Sequence, residues 1–130
     1  MINSPEAVFH AYIRAVESLD PEVMLPFYHL PSLFISPQAV HRLPDVHAAR
    51  ALLAMVVEQL RAQAYRRTEV SGFKVCSLAS GLASCTGVFA RFNSADQEIA
   101  RLGFSYTLRQ TDGSWKSVVA LVHDPLVASA

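Results

Sequence analysis

The first third of the chain carries apolar residues at the three- and four-residue spacing of amphipathic helices. Ser4, Pro5 and Glu6 form a helix start, with a capping hydroxyl, a proline that needs no donor and an acid in the first turn. This pattern predicts a first helix over residues 5–19. Its buried face comprises Val8, Tyr12, Ala15, Val16 and Leu19.

Two further helix starts follow along the chain. The tract 20–22, Asp-Pro-Glu, predicts a short helix to about Tyr28, before a brief strand over 33–36. Asp45 then caps a long helix predicted over 46–64. The apolar stripe of this helix is wide, so we expect a broad surface to cover it.

Beyond residue 65 the pattern changes to the alternation of apolar and polar positions that is typical of strands. Turn-forming tracts at 80–81, 93–97 and 112–113 separate the predicted strands 66–79, 83–92, 98–109 and 115–124. We therefore predict a single α+β domain over residues 1–130. N-terminal helices cover a strongly bent antiparallel sheet in this arrangement.

The last hairpin predicts which side chains share a face of the sheet. A two-residue turn at 112–113 would place Tyr106 opposite Val119, Phe104 opposite Leu121 and Leu102 opposite His123. The core face would then hold Tyr106, Ser117 and His123 as its polar members. The other face would hold Arg101, Ser105, Thr107, Arg109 and Lys116.

Bulges would change this assignment, because each extra residue reverses the faces beyond it. The faces of Arg91, Arg101 and Asp124 therefore depend on whether the sheet contains bulges. With no bulge, Arg101 and Asp124 oppose each other on the outer face, where an ion pair contributes about 0.2–1 kcal/mol.

Composition narrows the range of partners. The 11 basic and 11 acidic residues balance, so we expect no nucleic acid partner. The longest apolar run, 51–57, is too short to cross a bilayer, and the N-terminal segment has no signal-peptide pattern. A cytoplasmic location is the resulting expectation. Mean hydropathy of +0.25 is high, which favours a homodimer through the exposed sheet face or an enclosed cavity.

Cysteine, histidine and glycine patterns give no cofactor site. Cys76 and Cys85 face each other if 80–81 is a two-residue turn, and we expect both to remain thiols. His29, His41 and His47 lack ligand spacing, so no metal is expected. The five glycines form no phosphate-binding loop, and we expect no cofactor.

Three tracts carry a resemblance to a known superfamily. They are Val8-Phe9-His10-Ala11-Tyr12 with Leu19-Asp20, then Ala64-Tyr65-Arg66-Arg67-Thr68, and Tyr106-Thr107-Leu108-Arg109 leading through Asp112-Gly113 to Trp115-Lys116. Together with the order of elements, they resemble the nuclear-transport-factor-2-like (NTF2-like) superfamily, which includes SnoaL-like and ketosteroid-isomerase-like proteins. The resemblance implies a cystatin-like α+β roll, in which a cone-shaped sheet closed by helices encloses a pocket.

The first helix also resembles that of ketosteroid isomerases. Tyr12 matches their oxyanion-binding tyrosine, and the second oxyanion donor falls near Tyr106. The position of their general base is occupied by Ser36, whose hydroxyl cannot take a proton from carbon without activation. The known isomerase route is therefore not expected, while an oxyanion-binding pocket remains open.

These observations define the candidate site. The catalytic candidates are Tyr12, Tyr106 and His123, and Tyr28 and Ser36 join them as ligand-binding candidates. Each has a structural alternative: Tyr12 and Tyr106 as core tyrosines, and His123 as a residue at the rim of the sheet.

Two functions from different classes are open. In one, the cone binds a small hydrophobic molecule, with cofactor-independent acid–base chemistry of isomerase, dehydratase or cyclase type if the protein is an enzyme. In the other, the protein is a non-catalytic, dimeric assembly module whose cone is filled by side chains.

Overall fold

The computed structural model describes residues 4–124. Its helices are α1 (Pro5–Glu17), α2 (Pro21–Met24) and α3 (Val46–Ala62), and a 3₁₀ turn (Leu25–Phe27) follows α2. The three helix starts are capped as expected: Ser4, Asp20 and Asp45 accept hydrogen bonds from backbone N–H groups of the first turn. The predicted helices are confirmed, with α1 and α3 each ending two residues early.

Six strands form one curled sheet in the described chain. Their order across the sheet is β2-β1-β6-β5-β4-β3, and β1 pairs with β6 in parallel while the other neighbours are antiparallel. The expectation of an entirely antiparallel sheet is therefore wrong at this one pair. The strands are β1 (Tyr28–Ile35), β2 (Val40–Leu43), β3 (Tyr65–Ala79), β4 (Leu82–Asn93), β5 (Glu98–Thr111) and β6 (Ser114–His123).

The first two strands differ from the prediction. The brief strand expected over 33–36 is the end of β1, which already begins at Tyr28, and β2 was not predicted. A short hairpin joins them, closed by a 2.9 Å hydrogen bond from the Ser36 N–H to the Ala39 carbonyl. A four-residue strand with the exposed Val40 at its start is too short to show a clear alternation.

A bulge in β6 shifts the register of the last hairpin. Arg109 pairs with Lys116 as expected, but the register shifts between Thr107 and Leu108 because β6 contains one extra residue. Beyond this point Tyr106 pairs with Ala120, and Gly103 pairs with His123. The predicted pairs of 102, 104 and 106 are therefore wrong by one residue.

The shift reverses the faces of β6 beyond the bulge. Val122 and Ala120 face the core, whereas His123 lies on the outer face against Gly103. Arg101 is on the outer face as expected, but it forms its ion pair with Glu98 at 2.5 Å, so the predicted pairing with Asp124 is wrong.

Two apolar clusters meet at α1. One joins α1 to α2 and α3, and includes Met24, Leu53 and Leu60. The other joins α1 to the concave face of the sheet, through Phe9 and Phe104. In it the Phe104 ring stacks between Phe9 and Phe89, with ring centroids 4.7 Å and 4.9 Å away.

The two cysteines lie in different environments. Cys85 pairs with Val75, and Cys76 pairs with Ser84, so the expectation that the two cysteines face each other is wrong. Both are free thiols, as predicted; Cys76 is exposed and Cys85 is buried. Burial raises the pKa of the Cys85 thiol to about 11, which keeps it protonated near neutral pH.

No helix in the described part of the chain is both long and apolar enough to cross a bilayer.

Gly87 makes room for the aromatic stack. It pairs with Phe104 across β4 and β5, and a Cβ at this position would lie 2.9 Å from Cζ of Phe104 and 3.0 Å from the Ser71 carbonyl oxygen. We therefore expect Gly87→Ala to displace the ring and lower the free energy of unfolding by about 1–3 kcal/mol. Denaturant unfolding measures this change.

Thr86→Ala is the matched control, since Thr86 is the neighbouring position on the other face of β4. An unfolding free energy for Gly87→Ala equal to that of the parent would show that Phe104 does not need the space.

Candidate functional site

A cavity of about 380 Å³ lies between the helices and the concave face of the sheet. Its walls are mostly apolar and come from α1, α3, β1, β4, β5 and β6; they include Ile13, Leu52, Val56, Phe89, Leu102 and Val122. The cavity has the size of a small-molecule site and opens to solvent beside the exposed residues Gln38, Met55 and Gln59.

Three tyrosines from separate elements meet at this cavity. Tyr12 comes from α1, Tyr28 begins β1, and Tyr106 lies on the inner face of β5. The ring centroid of Tyr12 is 5.7 Å from that of Tyr28 and 6.2 Å from that of Tyr106. The hydroxyls of Tyr12 and Tyr28 share a short hydrogen bond, in which either oxygen can donate. The structure thus brings together three of the predicted site residues.

These phenols are held in their neutral form. Burial, and then the neighbouring Tyr28, raises the pKa of Tyr12 well above its ordinary value. Burial also raises the pKa of Tyr28 and Tyr106, and in each case a neighbouring tyrosine adds to the effect. A neutral phenol donates a hydrogen bond, so the group can stabilise an oxygen atom that carries partial or full negative charge.

Arg91 is the charged residue of the cavity that sequence reasoning did not assign to the site. It shares the inner face of β4 with Phe89 and Cys85, and it pairs with Thr68 of β3, which also lines the cavity. Its positive charge acts against the rise in pKa of Tyr12, Tyr28 and Tyr106. The alternation of faces along β4 could have shown from the sequence that Arg91 faces inward, because it is two residues after Phe89 and therefore on the same face.

Ser36 and His41 lie on the hairpin between β1 and β2, and both line the cavity. Ser36 was predicted as a ligand contact, whereas His41 was considered only as a metal ligand. Neither has a charged activating partner among the hydrogen bonds and ion pairs of residues 4–124.

His123 does not belong to this site. Its Nδ1 lies 2.6 Å from the Asp124 carbonyl oxygen, and its ring packs beside Gly103 on the outer face. The predicted grouping of His123 with Tyr12 and Tyr106 is therefore wrong, because the β6 bulge turns the end of that strand over.

The chemistry available in the cavity follows from its lining. Hydroxyl donors and one guanidinium are present, whereas the lining residues of the described chain include no carboxylate. Across residues 4–124, no three His, Cys, Asp or Glu side chains are grouped as metal ligands. The lining thus presents hydrogen-bond donors and one positive charge, and His41 is the one imidazole of the described lining.

A family model described as "NTF2-like protein (DUF6841)" matches residues 4–125. A comparison with curated proteins finds no match.

Solved structures with the same architecture are similar to this chain at low sequence identity. An NTF2-like protein with a cystatin-like fold from Novosphingobium aromaticivorans is 16% identical, with a TM-score of 0.73 over 89% of this chain and 76% of that one. An NTF2-like protein of unknown function from Shewanella oneidensis is 12% identical, with a TM-score of 0.72 over 90% and 93%. A ketosteroid isomerase-like protein from Erwinia carotovora atroseptica is 16% identical, with a TM-score of 0.62 over 91% of both chains.

These likenesses show the fold alone, and they confirm the predicted cystatin-like α+β class.

The tyrosine pKa shifts predict an unusual alkaline titration. All four tyrosines of the chain, Tyr65 included, have a pKa raised by burial. Because the folded-state pKa exceeds the unfolded value of about 10, the associated stability is complete below pH 10 and is lost as the pH rises above it. We expect tyrosinate absorbance to appear only together with the loss of far-UV circular dichroism. Ionisation of the phenols near pH 10 in the folded protein would contradict this expectation.

Proposed function

The chain belongs to the DUF6841 family, whose NTF2-like character confirms the superfamily that the sequence resembles, and from this premise we propose that it binds a small, largely apolar molecule inside its cone. The observation that carries the proposal is the cavity of about 380 Å³, which the apolar side chains leave open. Native cores have few voids larger than a water molecule, so a cavity of this size argues against the alternative of a filled cone.

The tyrosines indicate which polar group the proposed ligand carries. Tyr12 and Tyr106 present neutral hydroxyls to a mostly apolar space. Such buried donors favour a ligand that brings its own hydrogen-bond acceptor into the cavity. A carbonyl or similar oxygen on the ligand supplies this acceptor. The fold of a ketosteroid isomerase-like protein is similar, which is consistent with a carbonyl in such a cone but does not identify the ligand.

The proposal concerns binding and polarisation of an oxygen atom. Proton abstraction from carbon also needs a base, and the serine at position 36 does not provide one. In the described lining, His41 is the one imidazole, and its ring nitrogens can accept or donate a proton. An acid–base reaction of isomerase, dehydratase or cyclase type would therefore depend on His41 together with the tyrosines.

A cavity-filling substitution tests the binding proposal. Val56 lines the cavity from α3 and is half-buried, so Val56→Trp places an indole in the space that the ligand needs. With 2-acetylnaphthalene as the probe, we expect the parent to bind and the variant to bind about tenfold more weakly or not at all. Isothermal titration calorimetry measures both affinities.

The matched control is Val23→Trp, at an exposed valine of α2 outside the cavity lining. It should bind the probe as the parent does, and circular dichroism should show that both variants are folded. Equal affinity of Val56→Trp and the parent would place the probe elsewhere and would count against the cavity.

We also propose that the outer face of the sheet joins two copies of the chain. The clusters that bind the helices to the sheet use its inner face, whereas a patch of half-exposed apolar side chains runs across the outer face. This outer patch comprises Leu33 and Ile35 of β1, which pair with Val119 and Leu121 of β6, and Val88 of β4, which lies across β5 from them. A second copy would bury the patch against an identical surface, as in the two-fold interfaces of most homodimers.

A charge in the outer patch tests this association. We expect the parent to be a dimer by size-exclusion chromatography with light scattering, and Leu121→Lys to be a monomer, because each copy would have to bury a lysine in the apolar interface. Val23→Lys, outside the patch, should remain dimeric. A monomeric parent would reject the proposal.

A further inference from the structure

Arg91 is the one charged side chain of the described cavity lining, and its environment indicates what the cavity accepts. It lies two residues before the end of β4, between Thr68 on one neighbouring strand and Ala100 on the other. The alternation of the strand turns it inward with Phe89, and its guanidinium carbon lies 5.5 Å from the centroid of the Phe89 ring. The charge is therefore held on an aromatic wall at the concave face of the sheet.

Arg91 forms no ion pair within residues 4–124; the carboxylate of Glu17 instead accepts a hydrogen bond from the N–H of Thr68, the residue paired with Arg91. The ion pairs of the described chain join Arg50 to Glu22, Arg67 to Glu69 and Asp96, and Arg101 to Glu98, and all of these lie on the surface. Arg91 is half-buried and takes part in none of them. A guanidinium in a mostly apolar cavity loses hydration, and an anion that enters the cavity can compensate for this loss.

The surrounding groups also favour an anion. The described lining contains no aspartate or glutamate that would repel a negative charge, and its tyrosine hydroxyls are neutral donors. The charge of Arg91 also reaches the hydroxyls of Tyr12, Tyr28 and Tyr106, since it acts on the pKa of each. An anionic group with two oxygen atoms would contact the guanidinium and the hydroxyl donors at the same time.

Charge and size restrict the anion further. The described lining offers one arginine and no lysine, which matches one negative charge rather than the two of a phosphate monoester. The remaining walls are mostly apolar, and the cavity of about 380 Å³ accommodates a compact molecule. Arginine also binds a carboxylate through two parallel hydrogen bonds, a geometry that one guanidinium can provide by itself.

We propose that the ligand of this cavity is a monoanionic organic acid with an apolar body, whose carboxylate pairs with Arg91 and accepts a hydrogen bond from a cavity tyrosine. The proposal rests on the proposed small-molecule function and names its ligand class.

Two probes of nearly equal shape distinguish the contribution of charge to the binding affinity from that of the apolar body. The probes are 2-naphthoate and 2-naphthamide, which differ in the charge of one planar group. We expect the parent protein to bind 2-naphthoate about tenfold or more tightly than 2-naphthamide by isothermal titration calorimetry at low salt. Arg91→Met keeps an unbranched apolar side chain beside Phe89, and it should remove this preference while binding 2-naphthamide within about threefold of the parent.

Arg14→Met is the matched control, because it removes the same charge from an exposed position of α1. It should retain the preference for the carboxylate. Arg91→Lys keeps the charge but not the paired donors, and we expect an intermediate preference. If Arg91→Met does not fold, the test is the preference of the parent for 2-naphthoate together with a crystal structure of that complex. We expect the carboxylate to lie at Arg91, and a carboxylate at another group would reject the inference.

The outcomes distinguish this inference from the proposed function. Equal binding of both probes by the parent, unchanged in Arg91→Met, would overturn the inference and leave small-molecule binding in place. Binding of neither probe, nor of 2-acetylnaphthalene, would overturn the proposed function and the inference with it. A preference for 2-naphthoate that persists in Arg91→Met would place the anion at another group and reject the role of Arg91.

Discussion

Phe9 of α1 stacks on Phe104 of β5, and this contact holds the first helix across the concave face of the sheet. Phe104 in turn stacks on Phe89, so the helix is bound to two adjacent strands at once. The arrangement needs a residue without a side chain at Gly87, where a Cβ would collide with the Phe104 ring. Tyr12 follows Phe9 by one turn of the helix, and the same contact therefore sets its position relative to Tyr106.

The cavity is a consequence of how α1 divides the interior. The helix packs on the sheet through one cluster and on α2 and α3 through the other, and Tyr12 and Phe34 contact both clusters. Between the clusters the cavity is lined by α3 on one side and by β4, β5 and β6 on the other, and it is open to solvent at the hairpin between β1 and β2. The packing that stabilises the fold thus also creates the cavity, because the side chains that could fill it pack in the two clusters instead.

The chemistry of the site depends on low polarity combined with a few polar groups. Burial keeps the phenols of Tyr12, Tyr28 and Tyr106 neutral, and Arg91 opposes this effect only in part. The cavity therefore contains hydroxyl donors and a positive charge, without a carboxylate in the described lining. Similar folds at 12–16% identity do not determine function, so these groups alone indicate what kind of ligand the cavity would bind.

The sequence by itself determined the helices, the long strands and the α+β class, because caps, turns and apolar periodicity act over a few neighbouring residues. It also identified Tyr12, Tyr28, Ser36 and Tyr106, all of which line the cavity. Only the tertiary structure decided the face of each residue near a bulge: one extra residue in β6 moved His123 outside. Alternation from Phe89 points Arg91 inward only if no bulge lies between them, and the sheet decided this, because its register shift comes after Arg91 and local periodicity does not encode the pairing of distant strands.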